Sequence, residues 1–272
     1  MGPKKIQVLL ISGALILFVL LFIAPKIGTP EERSELQGTG KVVVPDNATL
    51  DVYLNLAIKN LELSLKKQLD QLGKTRKSDS ISGFWDKLKR PDLASYYAEE
   101  SAGKENTASA WFKAGSRYYY AVQFSKDKTE IPVLYQCAMR CFNKGLKLNP
   151  KDTDAKIMLA SCYVEGSADP MEGVSRLREI EKTDSNNVKL QLTFAFFSVK
   201  SGQFDKAIKR FSKVLAIDSS YIEAYLHLAD AYEQQGDNVK TIEVLETYAA
   251  KTPDATEKSE INKYIQQLKT KK

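Results

Sequence analysis

Cysteine and histidine are scarce in this chain: Cys137, Cys141 and Cys162, and the single His227, among 272 residues. Three thiols cannot make a disulfide framework. Cys137 and Cys141 stand four apart and would share a helix face, but the only histidine lies far along the chain. Buried thiols acting as small hydrophobes are expected, not a metal site. Also missing are a Gly-rich phosphate loop, an HExxH pair, a GxSxG elbow and a CxxC motif. No catalytic constellation is left, so an enzyme is not expected, and neither is a cofactor. His227 lies between Leu226 and Leu228 and reads as a structural or surface residue. An excess of one charge is lacking too: 40 Lys and Arg face 34 Asp and Glu, interleaved along the chain. Nucleic-acid binding would need basic residues clustered on one element, so no nucleic-acid partner is expected.

Long hydrophobic runs are absent except for one. Ile6 to Ala24 reads IQVLLISGALILFVLLFIA, without a charge. At about 1.5 Å rise per residue it spans a hydrocarbon core of about 30 Å. It is longer than the apolar core of a cleavable signal peptide, and Pro25 follows its last alanine. Residues 1–25 are therefore expected to be an uncleaved transmembrane signal-anchor. Lys4 and Lys5 precede the run, which favours a cytoplasmic N-terminus and an outward-facing remainder.

Residues 26–47 carry Gly28, Pro30, Gly38, Gly40 and Pro45 among charges and read as a linker. From residue 48 to 73 the pattern turns helical. Leu54, Ile58, Leu61, Leu65, Leu69 and Leu72 recur at spacings of three and four, giving one amphipathic helix. Its stripe either packs on the helices that follow or pairs with a second copy as a homo-oligomer. Residues 74–107 read as a degenerate helical hairpin split at Arg90-Pro91, with Phe84, Trp85, Tyr96 and Tyr97 as its aromatics.

Sliding the C-terminal half against itself exposes a repeat. Gly202 recurs as Gly236 after 34 residues, Ala195 as Ala229, and Phe211 as Leu245. Residues 222–255 carry Tyr225, Leu228, Ala229, Tyr232, Gly236, Leu245 and Pro253. Residues 188–221 carry Phe194, Ala195, Gly202, Ala207 and Phe211. Residues 153–187 carry Leu159, Ala160, Tyr163, Gly173 and Leu177. Residues 108–150 begin with Trp111, Ala114, Gly115 and Tyr118 and end with Ala138, Phe142, Gly145 and Pro150, with about eleven extra residues around 125–132. These offsets resemble the tetratricopeptide repeat (TPR), and the anchor ahead of them resembles the layout of a bacterial membrane-anchored TPR protein. The fold expected is all-α: a solenoid of about four helical hairpins over 108–255, closed by a polar capping helix over 256–272. One hairpin cannot bury its apolar face alone, so neighbours must stack.

In this family ligands lie in the concave groove lined by the first helix of each repeat. That resemblance carries the groove onto Phe112, Ser116, Tyr119 and Tyr120 in the first unit. In the second it falls on Asp154, Ile157, Ser161 and Glu165, in the third on Lys189, Leu192, Phe196 and Lys200, and in the fourth on Glu223, Leu226, Asp230 and Glu233. The expected contact residues for a protein partner are Phe112, Tyr119, Tyr120, Ile157, Lys189, Leu192, Phe196, Lys200 and Asp230. Such a mixed surface suits an extended or helical peptide. The alternative is that the extra residues near 125–132, or the helix from 48, fold back and cover these side chains. Two functions are in view: a membrane-tethered scaffold or assembly factor, or a structural oligomeric subunit of a cell-envelope complex. The location implied is a single-pass protein of the bacterial inner membrane with its repeats in the periplasm.

Overall fold

The structure is a computed structural model that describes residues 48–75, 77–125 and 128–270. The Ile6–Ala24 run and the linker lie outside the described residues. Among the described residues there are thirteen α-helices and no strand: α1 Ala48–Asn60, α2 Leu63–Lys74, α3 Ser78–Lys87, α4 Pro91–Glu105, α5 Ala108–Ala121, α6 Glu130–Leu148, α7 Thr153–Gly166, α8 Pro170–Thr183, α9 Val188–Lys200, α10 Phe204–Ile217, α11 Glu223–Gln235, α12 Asn238–Lys251 and α13 Ala255–Thr270. None of them is long and apolar enough to cross a membrane.

Local chemistry sets the helix starts. Asp152, Asn187 and Asp237 accept hydrogen bonds from the backbone N–H groups of Ala155, Leu190 and Lys240 at 2.8, 3.0 and 2.9 Å. Each satisfies a donor that the first helical turn leaves unpaired. Pro91 and Pro170 open α4 and α8, where a missing N–H costs nothing. At the far end of α11, Gly236 takes φ +85°, and after α9 Gly202 takes φ +70°. Both are left-handed positions that favour glycine, which accounts for the glycine echo in the sequence.

From α3 to α8, and again from α9 to α13, each helix packs chiefly against a sequence neighbour, so the chain runs as a row of antiparallel hairpins; between α8 and α9 the contact is slight. Small residues let helices approach: Ala160, Ala195, Ala207 and Ala231 are fully buried. Gly173 is tighter still, since a Cβ there would stand 2.5 Å from the Ala160 carbonyl. Phe211, fully buried, fills the space among Ala195, Leu228 and Ala231. Ile265 and Leu268 of α13 cover Ala229 and Leu245, closing the last hairpin.

The head of the row departs from the expected single helix over 48–73. The chain breaks at Leu61-Glu62, where Glu62 is extended (φ −61°, ψ 151°) and the Lys66 ammonium binds the Lys59 carbonyl at 2.9 Å. The physical reason is burial. Leu54 and Ile58 of α1 and Leu65, Leu69 and Leu72 of α2 all join one cluster with Ile81, Phe84, Trp85 and Leu93 of the next hairpin. A bend keeps both halves of the stripe on that cluster. Leu50 reaches further, into the core of α5 and α6. The stripe is thus occupied within the chain, while Val52, Leu56 and Leu63 stay exposed at 64%, 56% and 69%.

Candidate functional site

The first helices of neighbouring hairpins touch: α5 meets α7, and α7 meets α9. Residues one repeat apart therefore face each other along this surface, and the structure pairs them. The Tyr119 hydroxyl of α5 donates to Glu165 Oε2 of α7 at 2.6 Å. Lys200 of α9 pairs with the other oxygen of the same carboxylate. Lys189 of α9 donates to Asp154 of α7 at 3.0 Å. Phe196 of α9 lies edge-on to His227 of α11, with ring centroids 4.9 Å apart. The Tyr264 hydroxyl of α13 donates to Glu233 of α11 at 2.6 Å. One row of contacts thus joins α5, α7, α9, α11 and α13.

Spacing within this row locates the extra residues. Glu165 and Lys200 are 35 apart in sequence, whereas Tyr119 and Glu165 are 46 apart. The difference is shared between a longer connection, which leaves α5 through a 3-10 turn, Val122–Phe124, and α6 itself, 19 residues long where α8 and α10 have 14. On the groove, Tyr120 is 52% exposed and Phe196 41% exposed.

The expected contact residues divide into three groups. Tyr120 and Phe196 are open, and Phe196 rests edge-on against buried Phe211 at 5.5 Å. Tyr119, Lys189 and Lys200 are on the same surface but tied to Glu165 and Asp154. Burial and the Glu165 carboxylate push the Tyr119 phenol well above its ordinary value, so it stays a donor. Asp230 is half-buried, and burial raises its carboxyl. The rest serve the core. Ile157 is fully buried with Leu177 and Leu190, beyond a partner's reach. Phe112 lies on Gly145, where an added Cβ would fall 2.4 Å from its ring. Leu192 packs beside Ala195 and Phe211. Each is the fifth residue of its helix, a position that faces the interhelical space rather than the groove.

His227 and Tyr264 belong to this surface and were not among the expected contacts. His227 stacks on Phe211 at 5.5 Å, and burial lowers its pKa, which favours a neutral ring. The Glu233–Tyr264 pair spans 31 residues, as Phe196–His227 does in position. That spacing marks α13 as the first helix of an unfinished repeat, a signal the sequence already held. Cys137, Cys141 and Cys162 are buried thiols whose pKa values desolvation raises. Among the described residues no group of three or more His, Cys, Asp or Glu could hold a metal.

Comparison with known proteins agrees with this geometry. A family model described as "TPR repeat" matches residues 199–236. A tetratricopeptide repeat protein from Parabacteroides merdae ATCC 43184 superposes with a TM-score of 0.50 at 13% identity, covering 82% of this chain and 85% of its own. YrrB, described as a TPR protein with an unusual peptide-binding site, gives a TM-score of 0.42 at 18% identity, over 68% of this chain and 90% of its own. MamA from Desulfovibrio magneticus RS-1 gives 0.43 at 17% identity, over 65% and 94%. No curated protein matches the chain. Residues 199–236 thus match the tetratricopeptide repeat, and the described residues have the all-helical fold of a tetratricopeptide-repeat solenoid.

Proposed function

We propose that the chain is a membrane-tethered interaction scaffold or assembly factor, which holds a peptide or protein partner against the row of first helices α5, α7, α9 and α11. The observation that carries this reading is the contrast within that row. Its charged and phenolic groups are mostly paired with one another, while the aromatic rings of Tyr120 and Phe196 stay open to solvent. A folded monomer gains nothing by exposing them, and exposed apolar surface of this kind marks contact sites. The paired charges around them limit which peptides fit. The tether is the uncharged Ile6–Ala24 run; the location proposed is the bacterial inner membrane with the repeats in the periplasm.

The test is lysine-directed chemical crosslinking in native membranes, followed by mass spectrometry. A crosslinked partner lost in the Tyr120→Ala/Phe196→Ala double variant, with the protein retained after carbonate extraction, is the expected result. A double variant that still captures the same partner ends the groove reading. Protein released by carbonate ends the tether. A second reading, a structural oligomeric subunit of a cell-envelope complex, is favoured by exposed Val52, Leu56 and Leu63 on α1 and α2. It requires a concentration-dependent mass.

A further inference from the structure

Phe124 and Ser125, which follow α5, and Glu130, which opens α6, form one wall of a cleft of about 610 Å³, bounded on its other sides by α1 and the α3–α4 turn. The apolar lining comes from Leu56, Leu61, Trp85, Leu88 and Phe124. Phe124 is 66% exposed at its mouth. The polar lining includes Arg90, Asp92 and Glu130, with exposed Lys89 at the rim.

The charges there do not balance. Asp92 and Glu130 are each only 5% exposed. Arg90 is committed to Asp92, through contacts of 2.6, 3.0 and 3.1 Å. The Ser125 hydroxyl donates to Glu130 Oε2 at 2.6 Å. Glu130 Oε1 is buried and meets no donor. Two buried carboxyls, close enough for a proton to bridge them, thus stand beside one guanidinium, which contacts Asp92. A buried carboxylate without a counter-ion is costly, so it either holds a proton or acquires a cation.

We propose that this cleft is a binding site for a primary ammonium group on a short apolar body, with Glu130 as its counter-ion. The ammonium supplies the donor that Oε1 lacks, and the hydrocarbon lies against Leu56, Leu61 and Phe124. The site is independent of the groove. Desolvation pushes the Glu130 carboxyl up to about 7, and the neighbouring Asp92 acts in the same direction. The ligand needs the ionised form, so below about pH 7 it must expel a proton. Its affinity then falls by up to about tenfold for each unit of pH. The same chemistry comes from a free amine or from a lysine side chain of a peptide.

The experiment is calorimetric titration of the full-length protein with butylamine, N-acetyl-lysine methylamide and butanol, at pH 6 and pH 8. Saturable binding of butylamine at pH 8 is expected, at least fivefold weaker at pH 6 and at least tenfold weaker in Glu130→Gln. That variant copies the neutral carboxyl, so it should melt like the wild type at pH 6. Butanol should not saturate. Binding of the lysine derivative as well identifies a peptide side chain as a fitting source; binding of butylamine alone identifies a free amine. Phe124→Ala alters an exposed side chain and should weaken butylamine several-fold while the fold stays intact. No saturation with either amine, equal binding of butanol, an unchanged Glu130→Gln or an unchanged Phe124→Ala each overturns the proposal.

Discussion

The two ends of the described chain solve the same packing problem by different means. From α9 to α13 the hairpins repeat, and alanines set the distance while one large residue per gap fills it. From α1 to α6 the core is aromatic: Trp85, Trp111, Tyr118, Tyr135 and Phe142 are all buried. There the large rings bring polar atoms inside. Glu99 answers them, accepting from Tyr118 at 3.0 Å and from Arg140 at 2.7 and 2.9 Å. The lesson is about cooperativity. A regular array has contacts only between neighbours, and damage should stay local. The head ties α1, α4, α5 and α6 into one cluster, and damage there should spread.

The largest expected effect tests that contrast directly. Phe211→Ala removes a fully buried ring and should destabilise by about 3–5 kcal/mol. Hydrogen exchange should show α9–α12 losing protection while α3–α6 keeps most of theirs. Equal loss at both ends would mean that the array is one cooperative block. Next in size is Glu99→Ala, which leaves the Arg140 guanidinium in a site where its side chain is only 23% exposed. Removing one partner of a buried pair costs about 3 kcal/mol. Urea unfolding should report this as a loss across α4, α5 and α6 together. A loss below about 1 kcal/mol would show that aromatic packing alone holds the head.

A smaller effect has opposite sign in the two regions. In the head, the Glu130 carboxyl is raised from its ordinary 4.5 to about 7 by burial. Folding therefore favours its protonated form, a contribution fully present below pH 4.5 and lost as pH rises through about 7. Among the described residues the charged groups facing it are Asp92 and Arg90. In the array, burial lowers His227 from 6.5, so its contribution is present above pH 6.5 and lost as pH falls through the folded value. Glu223 opposes that shift. Between pH 8 and pH 5, amide exchange in α6 should slow relative to α11. Glu130→Gln should flatten the response of the head alone, and His227→Phe that of the array alone. Parallel responses in both regions would refute the assignment.

How much of this was legible in the sequence follows the same division. In the array, identity of residue and identity of role coincide. Gly202 and Gly236 both need positive φ, and Phe211 needs its buried gap, so a shift of 34 residues exposed the hairpins. In the head, the helical period of the leucine stripe was visible, but the break at Leu61-Glu62 was not. No proline or glycine marks it; only the position of the next hairpin's cluster demands it. The groove was legible as a surface and not as a contact set. The lining positions differ in where they face: Tyr120, near the end of α5, points out, whereas Phe112, Ile157 and Leu192, each the fifth residue of its helix, pack inward. Pairings such as Tyr119–Glu165 depend on stacking across an insertion, which no local pattern encodes.

The smallest expected effect on stability separates the two open aromatics. Tyr120 belongs to the head, yet among the described residues its one ring contact is with Tyr119, at 5.5 Å. Phe196 belongs to the array and touches two rings, buried Phe211 and half-buried His227. Truncating a side chain removes stability in proportion to the apolar area it buries, at about 25 cal/mol per Å². Tyr120→Ala should therefore shift stability by less than about 0.5 kcal/mol, the range of ordinary surface substitutions. Phe196→Ala should cost about 1–2 kcal/mol, part of it from the lost edge contacts. If both positions contact a partner, the two variants weaken capture to a similar degree while their melting temperatures differ. That dissociation is the informative outcome, because a purely structural role would make binding follow stability. Capture that declines only in Phe196→Ala, in step with its melting temperature, would remove Tyr120 from the site and leave Phe196 as a packing residue of the array.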